Sequence, residues 1–284
     1  MNTFKLPDET RVSRVHLRTA TLAGILEFYQ KVLGLRVIDC GESEASLSAT
    51  GNPPALLVFT EARKATPRPH PATGLYHFAI RFPTRRDLAQ AFLRVVAADY
   101  PLDGTSDHGL HESIYLRDPD GNGVELTADR PRSEWPRRKG RLHMFTQALY
   151  LDGLLATTGG DPIPANAPAQ TDIGHIHLCV ADLKEAEKCF HEFLGFEVMA
   201  RVPDATFLAL GGYHHHVAVN TRAGKTPAPA NAVGLISYRF AVPNAQALAN
   251  VKDRARLFGY EAQMAGDILQ VRDPNGHGLE LELA

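Results

Sequence analysis

The chain repeats itself. Gly34-Leu35 recurs as Gly195-Phe196, Gly74-Leu75 as Gly234-Leu235, and Asp118-Pro119-Asp120-Gly121 as Asp273-Pro274-Asn275-Gly276, at offsets of 161, 160 and 155 residues. Three anchors at nearly constant spacing mark an internal duplication. Whatever motif one half forms, the other half must form too.

Hydrophobic periodicity gives the motif. A strand over 12–18 leads into a helix over 21–33, whose apolar residues recur at helical spacing and which stops at Gly34. Strands over 35–39, 45–49 and 55–60 follow, the last two separated by the turn Thr50-Gly51-Asn52-Pro53-Pro54. After a Pro-rich loop at 66–73 the order returns: a strand over 75–82, a helix over 84–98, a strand beyond it, a strand over 112–117, the turn from Asp118 to Gly123, and a strand over 124–128. The second half restarts with a strand over 173–180 and a helix over 183–194, with Asp182 placed to cap it. The prediction is an α+β fold of four βαβββ units, with antiparallel sheets and outer helices, curled into two open barrels. The domain expectation is 11–130, a linker over 131–171 and 172–284. The linker carries a short helix within 142–159 and the low-complexity loop 161–170. Residues 1–10 read as a loose, polar leader.

Bulk properties exclude several classes. With 284 residues, 44% of them hydrophobic, the chain can build two substantial cores. A net charge of −2 argues against a general nucleic-acid surface. No apolar run approaches the ~18 residues of a membrane span. The three cysteines, Cys40, Cys179 and Cys189, form no CxxC pair or even-numbered framework, which predicts a reduced, cytoplasmic setting. Small molecules, in a monomer or a homo-oligomer, are the expected partners.

Overlaying the halves locates the chemistry. Alternation places His175, His177 and Cys179 on one face of their strand. His175 corresponds to Arg14, His77 to Ser237 and Glu125 to Glu280. Neither half holds two histidines and a glutamate, but the second and third units together supply His77, Glu125 and His175. Two neutral imidazoles and one carboxylate suit one face of an octahedral divalent ion and leave three adjacent positions open. The leftover set, Arg14, Ser237 and Glu280, carries a fixed cation and suits no metal. Each residue also has a plainer reading. His77 and His175 fit buried core positions, although Glu125 between Val124 and Leu126 would be costly to bury unpaired. His177 and its mate His16 read as structural. The basic stretch from Arg130 to Arg141 reads as a solvated linker anchored by Trp135.

The stretches GHIHLCVAD, FLGFEV, LYHFAIRF, DHGLHESIYLRDPDGNGVELTADRPRSEW and FLALGGYHHHVAVN together resemble the vicinal oxygen chelate superfamily. Within it they are similar to two-domain extradiol ring-cleaving dioxygenases of the catechol 2,3-dioxygenase type. The resemblance spans about 12–130 and 172–282. It implies one Fe(II), in some members Mn(II), on His77, Glu125 and His175, and cleavage of catechol or a substituted catechol with O₂ to a 2-hydroxymuconic semialdehyde-type product. It further implies His215 as the acid–base histidine, Tyr115 as a donor to a substrate oxygen, and His108, in preference to His111, as a pocket histidine. On the strand, His214 and His216 would then face away from His215. In the best-known members the second domain supplies all three ligands, whereas Ser237 stands here in place of the second-domain histidine. Other readings are a glyoxalase-type isomerase or lyase, for which two carboxylates are expected, a metal-free binding protein, and a hydroquinone rather than a catechol as substrate.

Overall fold

The computed structural model describes residues 4–284. The four units are laid out in chain order. The first comprises β1 (Arg11–Thr19), α1 (Leu22–Glu27), β2 (Arg36–Cys40), β3 (Glu44–Ser48) and β4 (Leu57–Glu61). The second comprises β5 (Gly74–Arg81), α2 (Arg85–Ala97), β6 (Gly104–Asp107), β7 (His111–Arg117) and β8 (Gly123–Asp129). A connector follows, with a small hairpin of β9 (Arg137–Arg138) and β10 (Arg141–Leu142) and the short helix α3 (Leu151–Leu155). The third unit is β11 (Asp172–Cys179), α4 (Leu183–Glu187), β12 (Glu197–Val202), β13 (Ala205–Ala209) and β14 (Val217–Asn220). The fourth is β15 (Gly234–Val242), α5 (Ala245–Phe258), β16 (Ala262–Ala265), β17 (Ile268–Arg272) and β18 (Gly278–Leu283).

The units do not pair in chain order. One eight-stranded sheet runs β12-β13-β14-β11-β5-β8-β7-β6 and joins units two and three; the other runs β16-β17-β18-β15-β1-β4-β3-β2 and joins units one and four. The central contacts are antiparallel, β11 on β5 and β1 on β15. Within each unit the first strand lies parallel to the last, as in β5 beside β8. Each cup therefore takes one unit from each half of the chain.

Local chemistry explains the helices. Thr84 and Asn244 accept the backbone N–H three residues on and so cap α2 and α5, while Asp182 accepts from Lys184 N–H and caps α4. The helices after β1 and β11 both widen into a π-helical turn, Phe28–Val32 and Lys188–Phe193, so the duplication preserves even this irregularity. Both end at a left-handed glycine, Gly34 (φ 76°) and Gly195 (φ 77°). A side chain there would also strike backbone, that of Ala167 and of Phe4 respectively. Apolar faces of helices and sheets interlock around Tyr29, Phe59, Phe78, Phe190, Phe193, Phe196 and Phe240, all fully buried.

The N-terminal segment is not loose. Leu6 is 1% exposed and joins the core, Lys5 pairs with Glu197 and Asp8, and the Arg254 guanidinium lies 4.4 Å from the centre of the Phe4 ring. Two apolar residues in a polar stretch form no periodic pattern, so nothing in the sequence distinguishes this docked segment from a leader.

Candidate metal centre

The first strands of units two and three meet at the centre of their cup. His77 pairs with His177 across the β5–β11 seam, and an irregularity of register next to it brings His175 opposite Ala79. On the other side of β5, Ala79 lies beside Glu125 of β8. Three donor atoms converge from these positions. Glu125 Oε2 is 2.9 Å from His77 Nε2 and 3.0 Å from His175 Nε2, and the two nitrogens are 3.3 Å apart. Bonds of about 2.1 Å at right angles around one ion would set neighbouring donors about 3 Å apart, so the set fits a divalent cation bound on one face.

The close approach depends on Gly123. A Cβ on that residue would lie 2.2 Å from the Tyr76 carbonyl oxygen and 3.0 Å from the His77 Cβ.

Protonation favours the same use. Burial alone would raise the Glu125 pKa, but His175 and His77 beside it, with hydrogen bonds from His111 and His175, hold it well below the ordinary carboxylate range. Burial also lowers the His175 pKa, so that ring is neutral at pH 7. Ser113 Oγ donates to the second Glu125 oxygen at 2.5 Å, and His111 Nε2 lies 3.4 Å from it. Ser113 had no signal of its own in the sequence. Only its alternation with His111 and Tyr115 along β7 places it on the same face.

A cavity of about 820 Å³ opens over the donors and is lined by both His108 and His111, with Tyr115 and His215. His108 Nε2 lies 2.8 Å from the Tyr115 hydroxyl, and its Nδ1 lies 3.3 Å from the Phe145 carbonyl and 3.1 Å from Thr146 Oγ1. Burial lowers the His108 pKa to about 4. The His215 ring packs on His175 with centroids 4.1 Å apart. His177 is held by Asn220 Nδ2 at 2.8 Å and stands edge-on to His77. The connector supplies Leu142, Met144 and Phe145 as an apolar wall.

One expectation changes. Residues 213–216 form a bend before β14, not a strand, so alternation fails there: His214 turns inward, stacks on His111 and lies 3.0 Å from Asp129 Oδ1. His216 does face elsewhere, accepting the Leu210 N–H. The basic connector is the solvated, Trp135-anchored segment that its composition implies: 131–134 and 137–141 are exposed and Trp135 is buried. Arg130 pairs with Asp107 and Glu112, and Trp135 packs against Tyr213 and His214.

The other cup carries Arg14, Ser237 and Glu280 at the corresponding places. Glu280 Oε2 is bonded by Arg14 at 3.0 Å and by Arg239 Nε at 2.8 Å, and Arg239 also holds Glu282. The carboxylate is thus neutralised by fixed cations, and a metal there would face two guanidinium groups. Among the described residues, the first cup's three donors include one carboxylate only.

The duplicated cups have counterparts in known proteins. The chain is 39% identical over 273 residues to the catechol-2,3-dioxygenase of Bacillus subtilis, covering 94% of this chain and 95% of that protein. A solved Bacillus subtilis structure provisionally assigned as a dioxygenase superposes with a TM-score of 0.70 at 13% identity, covering 98% of this chain and 86% of that one. Glyoxalase I from Zea mays superposes with a TM-score of 0.58 at 16% identity, over 96% and 92% of the two chains. At such identities the structural likenesses establish the fold alone. A family profile described as the Glyoxalase/Bleomycin resistance protein/Dioxygenase superfamily matches residues 11–126 and 172–281, the spans that build the two cups, and the chain belongs to that superfamily.

Proposed function

We propose that this protein is an extradiol dioxygenase that opens the ring of catechol or a substituted catechol with O₂, using Fe(II) held by His77, Glu125 and His175. The observation that carries the reading is the convergence of these three donors under a cavity bordered by His108, Tyr115 and His215, in a chain similar over nearly its whole length to a catechol-2,3-dioxygenase. When bound, Fe(II) would hold diol and O₂ side by side and relay electron density between them; Mn(II) is the expected substitute.

The chain's own groups supply the rest. Ser113 fixes the Glu125 carboxylate, and its single negative charge with two neutral imidazoles leaves room for a negatively charged diol. His108 is held through Nδ1 by the Phe145 carbonyl and the Thr146 hydroxyl, which sets its Nε2 against the Tyr115 hydroxyl. The Tyr115 hydroxyl is the donor to a substrate oxygen. His215 moves a proton between substrate oxygens, and Met144, Phe145 and Phe207 give the cavity an apolar wall for the ring.

The test is anaerobic reconstitution with Fe(II), addition of catechol and admission of air. Expected are a yellow ring-fission product and matching oxygen uptake, both lost in Glu125→Gln along with bound iron. Silence across a panel of catechols and hydroquinones would refute the reading.

A further inference from the structure

Beside the donor set, three groups form an unbroken hydrogen-bonded line. Asp129 Oδ1 lies 3.0 Å from His214 Nε2, and His214 Nδ1 lies 2.8 Å from His215 Nδ1. The second Asp129 oxygen accepts from Arg81 Nη1 at 3.0 Å and from the Tyr213 hydroxyl at 2.9 Å. His214 is fully buried, and His215 borders the cavity.

The line admits one arrangement of protons. Burial would raise the Asp129 pKa, but the His214 hydrogen bond and the nearby Arg81 hold it far below the ordinary value. An ionised carboxylate only accepts, so the His214 proton sits on Nε2. Burial keeps His214 neutral, with its pKa lowered to about 3, and its Nδ1 is therefore bare. Two nitrogens 2.8 Å apart share one hydrogen, which must come from His215 Nδ1. His215 Nε2 is then left as an open lone pair.

We propose that Asp129 and His214 are positioning residues, which through this line lock His215 in the tautomer whose Nε2 accepts a proton from the substrate. The inference rests on the ring-cleavage reading for the meaning of that proton: the diol O–H bond breaks, an N–H bond forms at Nε2, and the imidazolium charge faces Asp129 through His214. The duplication gives independent support. In the cup without the His–His–Glu set, the places of His214 and His215 fall on Pro54 and Ala55 and that of Asp129 on Ala284, so the whole line is missing together with the donors.

Asp129→Asn supplies the test because its outcome is determined. Arg81 only donates, so the amide oxygen must face it and the amide NH₂ must face His214. Every proton in the line then reverses, and His215 carries its hydrogen on Nε2. Histidine-selective ¹⁵N NMR on the metal-free protein reads this directly, with the two rings assigned by their loss in His214→Gln and His215→Gln. Expected are Nδ1–H on His215 and Nε2–H on His214 in the natural protein, both inverted in Asp129→Asn. That variant should lose roughly a hundredfold in kcat, with KM for catechol and iron content unchanged. An Nε2–H tautomer of His215 in the natural protein overturns the proposal, as do unchanged tautomers in the variant. If Asp129→Asn does not fold, the natural protein's tautomers decide alone. A natural protein with the expected tautomers and no ring cleavage would count against the proposed reaction and leave the hydrogen-bonded line standing.

Discussion

Gly123 should control metal binding through space alone. It opens β8 directly beside His77 of β5, where an added Cβ would meet a carbonyl oxygen at 2.2 Å. Backbone cannot rotate away, so Gly123→Ala must push the two parallel strands apart and carry His77 with them. Overpacking of this kind costs about 1–3 kcal/mol. The stiffer unfolded chain returns about 0.4–1 kcal/mol, leaving a net loss of up to about 2.5 kcal/mol, or up to roughly 4 °C in Tm for a chain of this length. Moving a ligand out of place should also weaken the metal roughly tenfold to a hundredfold. The duplication provides the control. Gly278 occupies the same place in the other cup, and its Cβ would lie 2.8 Å from the Ser237 Cβ. Gly278→Ala should lower the melting temperature without weakening the metal. Anaerobic Fe(II) titration and thermal melting of the metal-free variants measure both effects. A Gly123→Ala protein that binds Fe(II) like the natural one, or a Gly278→Ala protein weakened equally, would refute the reasoning.

Leu6→Ala should cost about 2–5 kcal/mol in urea unfolding, as for a core leucine; a loose leader would give no change. The metal-free protein should be acid-labile. Burial lowers His108 to about 4 and His214 and His216 to about 3, so below pH 6.5 the unfolded chain binds protons that the fold refuses. Stability is therefore fully present above 6.5 and falls as the pH drops, by up to about 1.4 kcal/mol per unit for each ring. Asp118, raised to about 6 by burial, works the other way but is one group against three. Urea unfolding at pH 7.5 and 5.5 checks this, and equal stabilities would contradict it.

The fold was legible because it is written twice: strand, helix and turn signals that are ambiguous once become firm when they recur in step. The same arithmetic singled out His77, Glu125 and His175, which share no local motif and come from both halves. Other parts had no such support. Ser113 is one serine in a strand, and its meaning depends on Glu125 of the next strand. Asp129 and His214 meet across 85 positions of sequence, with no repeat mates to mark them. A period of two misplaces His214 because the backbone bends over residues 213–216. The docked Phe4 and Leu6 show the same limit, since burial by a distant surface leaves no periodic trace.

The pairing of unit two with unit three, and of one with four, has a consequence for biogenesis. A nascent chain that has emerged only through the first half holds β1 and β5 with their central edges bare, each awaiting a strand not yet translated. Neither cup exists at that stage, and His175 has not left the ribosome when His77 and Glu125 are already waiting. Synthesis must pass β14 before the first cup closes and β18 before the second, so the cup with the His–His–Glu set is completed before the one without it.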